Sequence, residues 1–110
     1  MKFRTTRKAV KESFSKVICV DYCNLQNLLT YETPIAYTCG VYGWNANIYA
    51  FGDVAIVTGY RPFGDVVDYN LCKEYEKRAK ELRDFSRPYA ERKTELDELI
   101  KEFIAKSIEQ

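Results

Sequence analysis

The sequence predicts an α+β protein: a small antiparallel sheet with short N-terminal helices, followed by two long C-terminal helices. Three observations carry this expectation. Residues 42–64, YGWNANIYAFGDVAIVTGYRPFG, hold the only Trp and four of the five Gly, and they place Gly52-Asp53 between two β-prone runs. A Gly at the first central position suits a two-residue type II′ hairpin turn. Beyond Asp65 the apolar residues stop alternating and recur at three and four, the period of a helix. Finally, 110 residues give room for a single core, so a sheet-bearing half (1–64) and a helical half (65–110) are expected within one domain.

The elements follow in chain order. Thr5 or Thr6 caps a short helix running to about Ser15, with Val10 and Phe14 four apart on one face. The run KVICV at 16–20 is β-branched and reads as a strand. Asp21 is then expected to cap a second short helix, in which Leu25, Leu28 and Leu29 form a buried stripe while Gln26 and Asn27 face out; Pro34 ends it. IAYTC at 35–39 alternates and continues the sheet, with Gly40 and Gly43 giving freedom around Val41 and Tyr42.

In the hairpin, the turn pairs Phe51 with Val54, Tyr49 with Ile56 and Asn47 with Thr58. Ala50, Ile48 and Ala46 oppose Ala55, Val57 and Gly59 on the other side. The small aliphatic face lets a helix approach closely, whereas the opposite face carries rings and hydrogen-bonding side chains. In the following TGYRPFG, Pro62 stiffens the loop that presents Arg61 and Phe63.

Leu71, Tyr75, Ala79, Leu82 and Phe85 form the apolar stripe of a helix ending near Ser86, with Glu74–Arg78 and Glu76–Lys80 as pairs on its wet side. Ser86 and Pro88 suit a stop and restart, as cap and first turn of the next helix, and a kink in one continuous helix is the competing picture. The last helix, about 88–108, places Leu96, Leu99, Ile100, Phe103, Ile104 and Ile108 on one broad face, with Lys93–Asp97 and Asp97–Lys101 pairs outside. Two helices this apolar on one side exceed what a small sheet can cover, so a homodimer or higher homo-oligomer through them is expected.

Composition narrows the function. A net charge of +1, with 46% hydrophobic and 30% charged residues, describes a globular chain rather than an acidic nucleic-acid mimic or a strongly basic binder. The charge is uneven: Lys2, Arg4, Arg7, Lys8, Lys11 and Lys16 against Glu12 give the first 16 residues +5 and leave the rest near −4. Aromatics reach 15%, nine of them Tyr, a residue favoured where a surface binds. The absence of His removes the commonest general base and the easiest zinc ligand. Cys19, Cys23, Cys39 and Cys72 lack the spacing of a zinc site and read as buried small hydrophobes. No secretory signal or long apolar run is seen, so a reducing cytoplasm, that of a host cell, is expected, with no membrane contact. No phosphate-binding glycine motif or nucleophile elbow occurs. No catalytic activity, metal or cofactor is expected.

Two constellations suit binding. Trp44, Asn45, Asn47, Tyr60, Arg61 and Phe63, with Tyr42, combine rings that stack on bases, a guanidinium that forks onto phosphate and amides that read a base edge. Arg83, Phe85, Arg87, Tyr89 and Arg92 gather at the helix junction and could close a pocket with the hairpin loop of a partner chain. Each has a structural alternative: Trp44 and Tyr49 as core, Asn45 as a turn residue, the junction as a solvated surface. The carboxylates Asp53, Asp65 and Asp68 read as a turn residue and two helix caps.

The segments DYCNLQNLL, IAYTCGVYGWNANIY and IVTGYRPFG, over about residues 16–75, resemble small proteins carried by phages and mobile elements of Gram-positive bacteria. The order of a sheet-bearing half and two C-terminal helices also resembles the phage Thoeris anti-defence sponge proteins. That likeness implies a non-catalytic protein that sequesters a cyclic nucleotide-type immune signal. The chemistry of the two constellations, not the likeness, puts Arg61 and Arg87 on phosphate and Trp44, Phe63 or Phe85 in the stacking role. A protein-binding inhibitor of a host defence nuclease, similar to anti-CRISPR proteins, and a nucleic-acid-binding accessory protein are the alternatives.

Overall fold

The computed structural model describes residues 3–21, 25–39, 45–59 and 65–109, with side chains except at 3, 21, 39, 45, 65 and 66. Among these residues the chain forms two compact units. One takes 3–21, 32–39, 45–59 and 65–66; the other takes 25–31 and 67–109. The α+β class is as expected. The units divide at 66/67, close to the expected 64/65, but residues 25–31 group with the helices.

The first unit is built on a sheet whose four main strands are β2 (Lys16–Asp21), β3 (Ala36–Cys39), β4 (Asn45–Phe51) and β5 (Val54–Gly59). Two-residue strands β1 (Phe3–Arg4) and β6 (Asp65–Val66) close its edges in the order β1-β3-β4-β5-β2-β6. The hairpin has the expected register, from Phe51 opposite Val54 to Ala46 opposite Gly59. Gly52 adopts φ +62° at its turn, the left-handed backbone that primed turns require. β3 pairs antiparallel with β4. The sheet is nevertheless mixed rather than antiparallel: β2 lies parallel to β5 in the register Lys16 to Val54, and β1–β3 and β2–β6 are parallel too. A parallel neighbour needs a long crossover. The chain provides one by inserting β3 and β4 between β2 and β5.

Helix α1 (Arg7–Ser13) starts at Thr6, whose hydroxyl accepts the Ala9 amide at 3.1 Å, and stops two residues before the expected Ser15. The small aliphatic face of the hairpin does receive a helix: Val10 of α1, with half-buried Phe14, packs on Cys19, Ala36, Ala46, Ile48, Ala55 and Val57. Ser15 ties the start of β2 to the hairpin turn. Its amide donates to the Asp53 carbonyl at 3.0 Å and to the Asp53 carboxylate at 3.2 Å. Hydrogen bonding by the Ser15 side chain, and then by its amide, holds the Asp53 carboxyl below its ordinary pKa. Ile18, Val20 and Ile56, which point to the other face by alternation, are also buried, so the central strands are covered on both sides.

The second short helix does not form among the described residues. Asp21 ends β2 instead of capping it, and residues 25–31 run as turns containing one α-type bond, Leu29 amide to Leu25 carbonyl at 3.0 Å. The leucine stripe is correct all the same: Leu25, Leu28 and Leu29 are buried. Helix geometry is unnecessary because the orphan amides of Asn27 and Leu28 go to the carboxylate of Glu76, at 2.6 and 3.1 Å.

Helices α2 (Tyr69–Leu82) and α3 (Tyr89–Glu109) complete the second unit. Asp68 caps α2 as expected, accepting the Asn70 amide at 2.7 Å, whereas the backbone of Asp65 lies in β6, not at the start of a helix. The buried face of α2 is Cys72, Tyr75 and Ala79 rather than a stripe through Leu71 and Phe85: Leu71 is half-buried, and Phe85 lies beyond the helix end, 69% exposed. The stripe drifts because 3.6 residues per turn carry Leu71 off the axis that Cys72, Tyr75 and Ala79 share. The two helices are separate, not one kinked rod. Asp84 makes the break, its carboxylate accepting the Ser86 amide and hydroxyl at 3.0 and 2.8 Å. Pro88 immediately precedes α3, and its carbonyl accepts the Arg92 amide. Along α3, Leu96, Leu99, Ile100 and Phe103 are buried as expected. Ile104 is only half-buried and Ile108 is 45% exposed, so the apolar face is narrower than predicted.

Candidate functional site

The six residues of the hairpin-loop constellation are unevenly placed. Trp44, Tyr60, Arg61 and Phe63 lie outside the described residues, as does Tyr42, and so does the side chain of Asn45, whose backbone opens β4. Asn47 is half-buried in β4, opposite Tyr37 on one side and Thr58 on the other. The remaining three, Arg83, Phe85 and Arg87, occupy the connection between α2 and α3, where they form a cluster together with residues the sequence did not single out.

The seam between the helices fixes the frame. Tyr75 meets Phe103 edge to face at 5.5 Å between centroids, and both are buried. Arg78 lies over the Tyr75 ring at 4.9 Å and forks onto Glu102 with bonds of 3.2 and 3.0 Å. The Arg78 fork holds Glu102 below the usual carboxylate range, and burial pushes the Tyr75 phenol up. Nearer the connection, Arg87 is paired with Glu95 at 2.6 Å and reaches Glu91 at 3.7 Å. Its bond to Glu95 raises the guanidinium and lowers the carboxyl.

Arg92 is the centre of the cluster. Only 9% exposed, it donates from Nη1 to the Tyr31 hydroxyl and from Nε to the Arg87 carbonyl at 3.2 Å. Its guanidinium lies 4.8 Å from the Phe85 ring centroid, 5.8 Å from Tyr89 and 5.9 Å from Tyr31. Tyr31 and Tyr89 themselves meet edge to face at 5.0 Å. Arg83, the C-cap of α2, donates from Nη1 to the Asn27 side-chain carbonyl at 2.6 Å and sits 5.4 Å from the same Phe85 ring. Its Nε–H is buried without an acceptor.

The three arginines therefore differ. Arg87 is neutralised by two carboxylates, whereas Arg83 and Arg92 have neutral oxygens and rings as their partners. The carboxyl of Asp84 is lowered first by its bonds to Ser86, with Arg87 and Arg92 adding in the same direction. Two guanidiniums thus lie within 5.4 Å of the centroid of one exposed aromatic ring, an arrangement that favours an anion carrying a planar group. Tyr31 and Asn27 could not be found from local sequence, because they lie 61 and 56 residues from the arginines they contact.

A groove of about 350 Å³ lies between α2 and α3, lined by Arg78, Glu81, Leu82, Glu95, Glu98, Leu99 and Glu102. Four carboxylates against one guanidinium give it the wrong sign for an anionic ligand. Among the described residues no group of three or more potential metal ligands occurs, Cys19 and Cys72 are buried, and no helix is long and apolar enough to cross a membrane. No protein-family model matches the chain, and comparison with curated proteins and with solved structures returns no significant match.

Proposed function

We propose that this chain is a binding protein without a reaction of its own, which captures a nucleotide-type signal and so serves a phage or mobile element against host immunity. The observation that carries the ligand class is Phe85, 69% exposed, with the Arg83 and Arg92 guanidiniums 5.4 and 4.8 Å from its ring and no carboxylate paired with either. A base stacks on such a ring, and the phosphate adds charge-assisted bonds to the guanidiniums. Arg87, assigned to phosphate from the sequence, is already held by Glu95 and Glu91, so Arg83 takes that role in this reading.

Ligand binding to the native state raises its melting temperature. Cyclic mononucleotides, cyclic dinucleotides and cyclic ADP-ribose are the compounds to titrate. The expected result is a concentration-dependent upward shift with at least one of them, lost in Phe85→Ala. The absence of any shift overturns the reading.

A second reading, a protein partner such as a defence nuclease, draws support from the exposed rings of Tyr69, Phe85 and Tyr89, at 59%, 69% and 55%. Such rings anchor protein interfaces. Capture of one host protein, with no nucleotide effect, favours it. Self-association through the helical unit, where Ile108 is also exposed, belongs to the same proposal; light scattering that returns a monomer mass across the micromolar range rejects it.

A further inference from the structure

Arg83 presents a problem that the fold alone does not solve. Its guanidinium is fixed at Nη1, yet the adjacent Nε–H is buried with nothing to accept it. An unsatisfied buried donor is costly, and more so on a charged group.

The way Nη1 is fixed is informative. Asn27 commits its backbone amide and both ends of its side chain here. Its backbone amide and its Nδ2 both donate to Glu76 Oε1, at 2.6 and 3.0 Å, while its Oδ1 accepts from Arg83 at 2.6 Å. A carboxylate can only accept, so Glu76 dictates which end of the Asn27 amide faces it, and the carbonyl end is presented to Arg83. Both oxygens of Glu76 are engaged, since Oε2 takes the Leu28 amide at 3.1 Å. A neutral amide thus stands between a carboxylate and a guanidinium that would otherwise pair. Arg83 is held in place without being neutralised, as Arg78 and Arg87 are by Glu102 and Glu95.

We propose that Arg83 receives an anionic oxygen of the ligand on its guanidinium, and that Asn27, oriented by Glu76, is the positioning residue that keeps this guanidinium fixed and unneutralised. This rests on the nucleotide-type reading above and assigns its phosphoryl contact. The ligand class is a planar ring lying on Phe85 with a phosphoryl group directed at Arg83.

Two fluorescent probes test it on the intact chain: trinitrophenyl-ATP, which carries ring and phosphates, and trinitrophenyl-adenosine, which carries the ring alone. Hydrogen bonds to charged groups imply that the parent prefers the phosphorylated probe by about tenfold or more. In Asn27→Ala the preference falls to about twofold or less, the size of an exposed, screened charge contact, with the affinity for trinitrophenyl-adenosine unchanged. Arg83→Lys keeps the charge and the cap position but lacks the planar guanidinium that Asn27 holds, and is expected to behave alike; it serves where Asn27→Ala lowers the melting temperature. A merely structural role for Asn27 would weaken both probes together. A preference that survives in a folded Asn27→Ala or in Arg83→Lys overturns the assignment. Equal binding of both probes by the parent overturns it while leaving a ring-binding surface, and binding of neither overturns the nucleotide reading with it.

Discussion

Glu76 shows how much one side chain organises. The sequence places it on the wet face of α2, yet its two oxygens accept three N–H groups from Asn27 and Leu28 and so replace a missing helical turn. Glu76→Ala strands these partly buried donors and is expected to cost about 2–3 kcal/mol, measured by urea unfolding; a loss below about 0.5 kcal/mol, the range of ordinary surface changes, rejects the role. Gly52 is the converse case, where no contact is at stake. A Cβ there meets nothing within 4 Å, but φ is +62°. Gly52→Ala is therefore expected to destabilise by about 1–2 kcal/mol, purely through the left-handed backbone. The hairpin register, copied residue for residue from the sequence, should survive as judged by an unchanged far-ultraviolet spectrum.

At the scale of elements, helix ends and interhelical ion pairs set the response to acid. Asp68 caps α2 through the Asn70 amide, and Asp68→Ala is expected to lose about 1 kcal/mol in denaturant titration. Glu102, Glu95 and Asp84 all have carboxyls lowered by their hydrogen-bond partners Arg78, Arg87 and Ser86. A lowered folded-state pKa means that the unfolded chain binds protons first. The stability these groups add is complete above the ordinary carboxylate range and is lost as pH falls through it toward their folded values. Melting temperature should accordingly stay level near neutrality and drop below about pH 4.5, where unfolded Glu begins to protonate. Glu102→Gln should make that drop shallower; an identical acid profile would show that the Arg78 fork contributes nothing.

Over the whole molecule, the chain leaves its sheet after β2 to give residues 25–31 to the helical unit, then returns for β3 to β5. The helices therefore depend on a piece of the N-terminal half. A fragment spanning 65–110 lacks Leu25, Leu28 and Leu29, all buried, along with Asn27 and Tyr31, which hold Arg83 and Arg92. Circular dichroism of this fragment is expected to show far less helix than α2 and α3 contain in the intact chain. Full helicity with a cooperative melt would make the two helices an independent unit. The clustering of exposed rings at one helix connection likewise belongs to this scale, because it needs α2, α3 and 25–31 together.

What the sequence determined by itself is what adjacent residues decide. The Gly52 turn, the β4–β5 pairing, the Thr6 and Asp68 caps and the buried positions Leu96, Leu99, Ile100 and Phe103 follow from backbone sterics and short periodicities. Only the tertiary structure decided that β2 lies parallel to β5, that the leucines of 25–31 are buried without a helix, and that Phe85 stands outside its stripe between two arginines. Each of these depends on partners 38 to 61 residues away, beyond the reach of any local pattern: a carboxylate supplying bonds a helix would have made, or a distant phenol and amide holding a guanidinium.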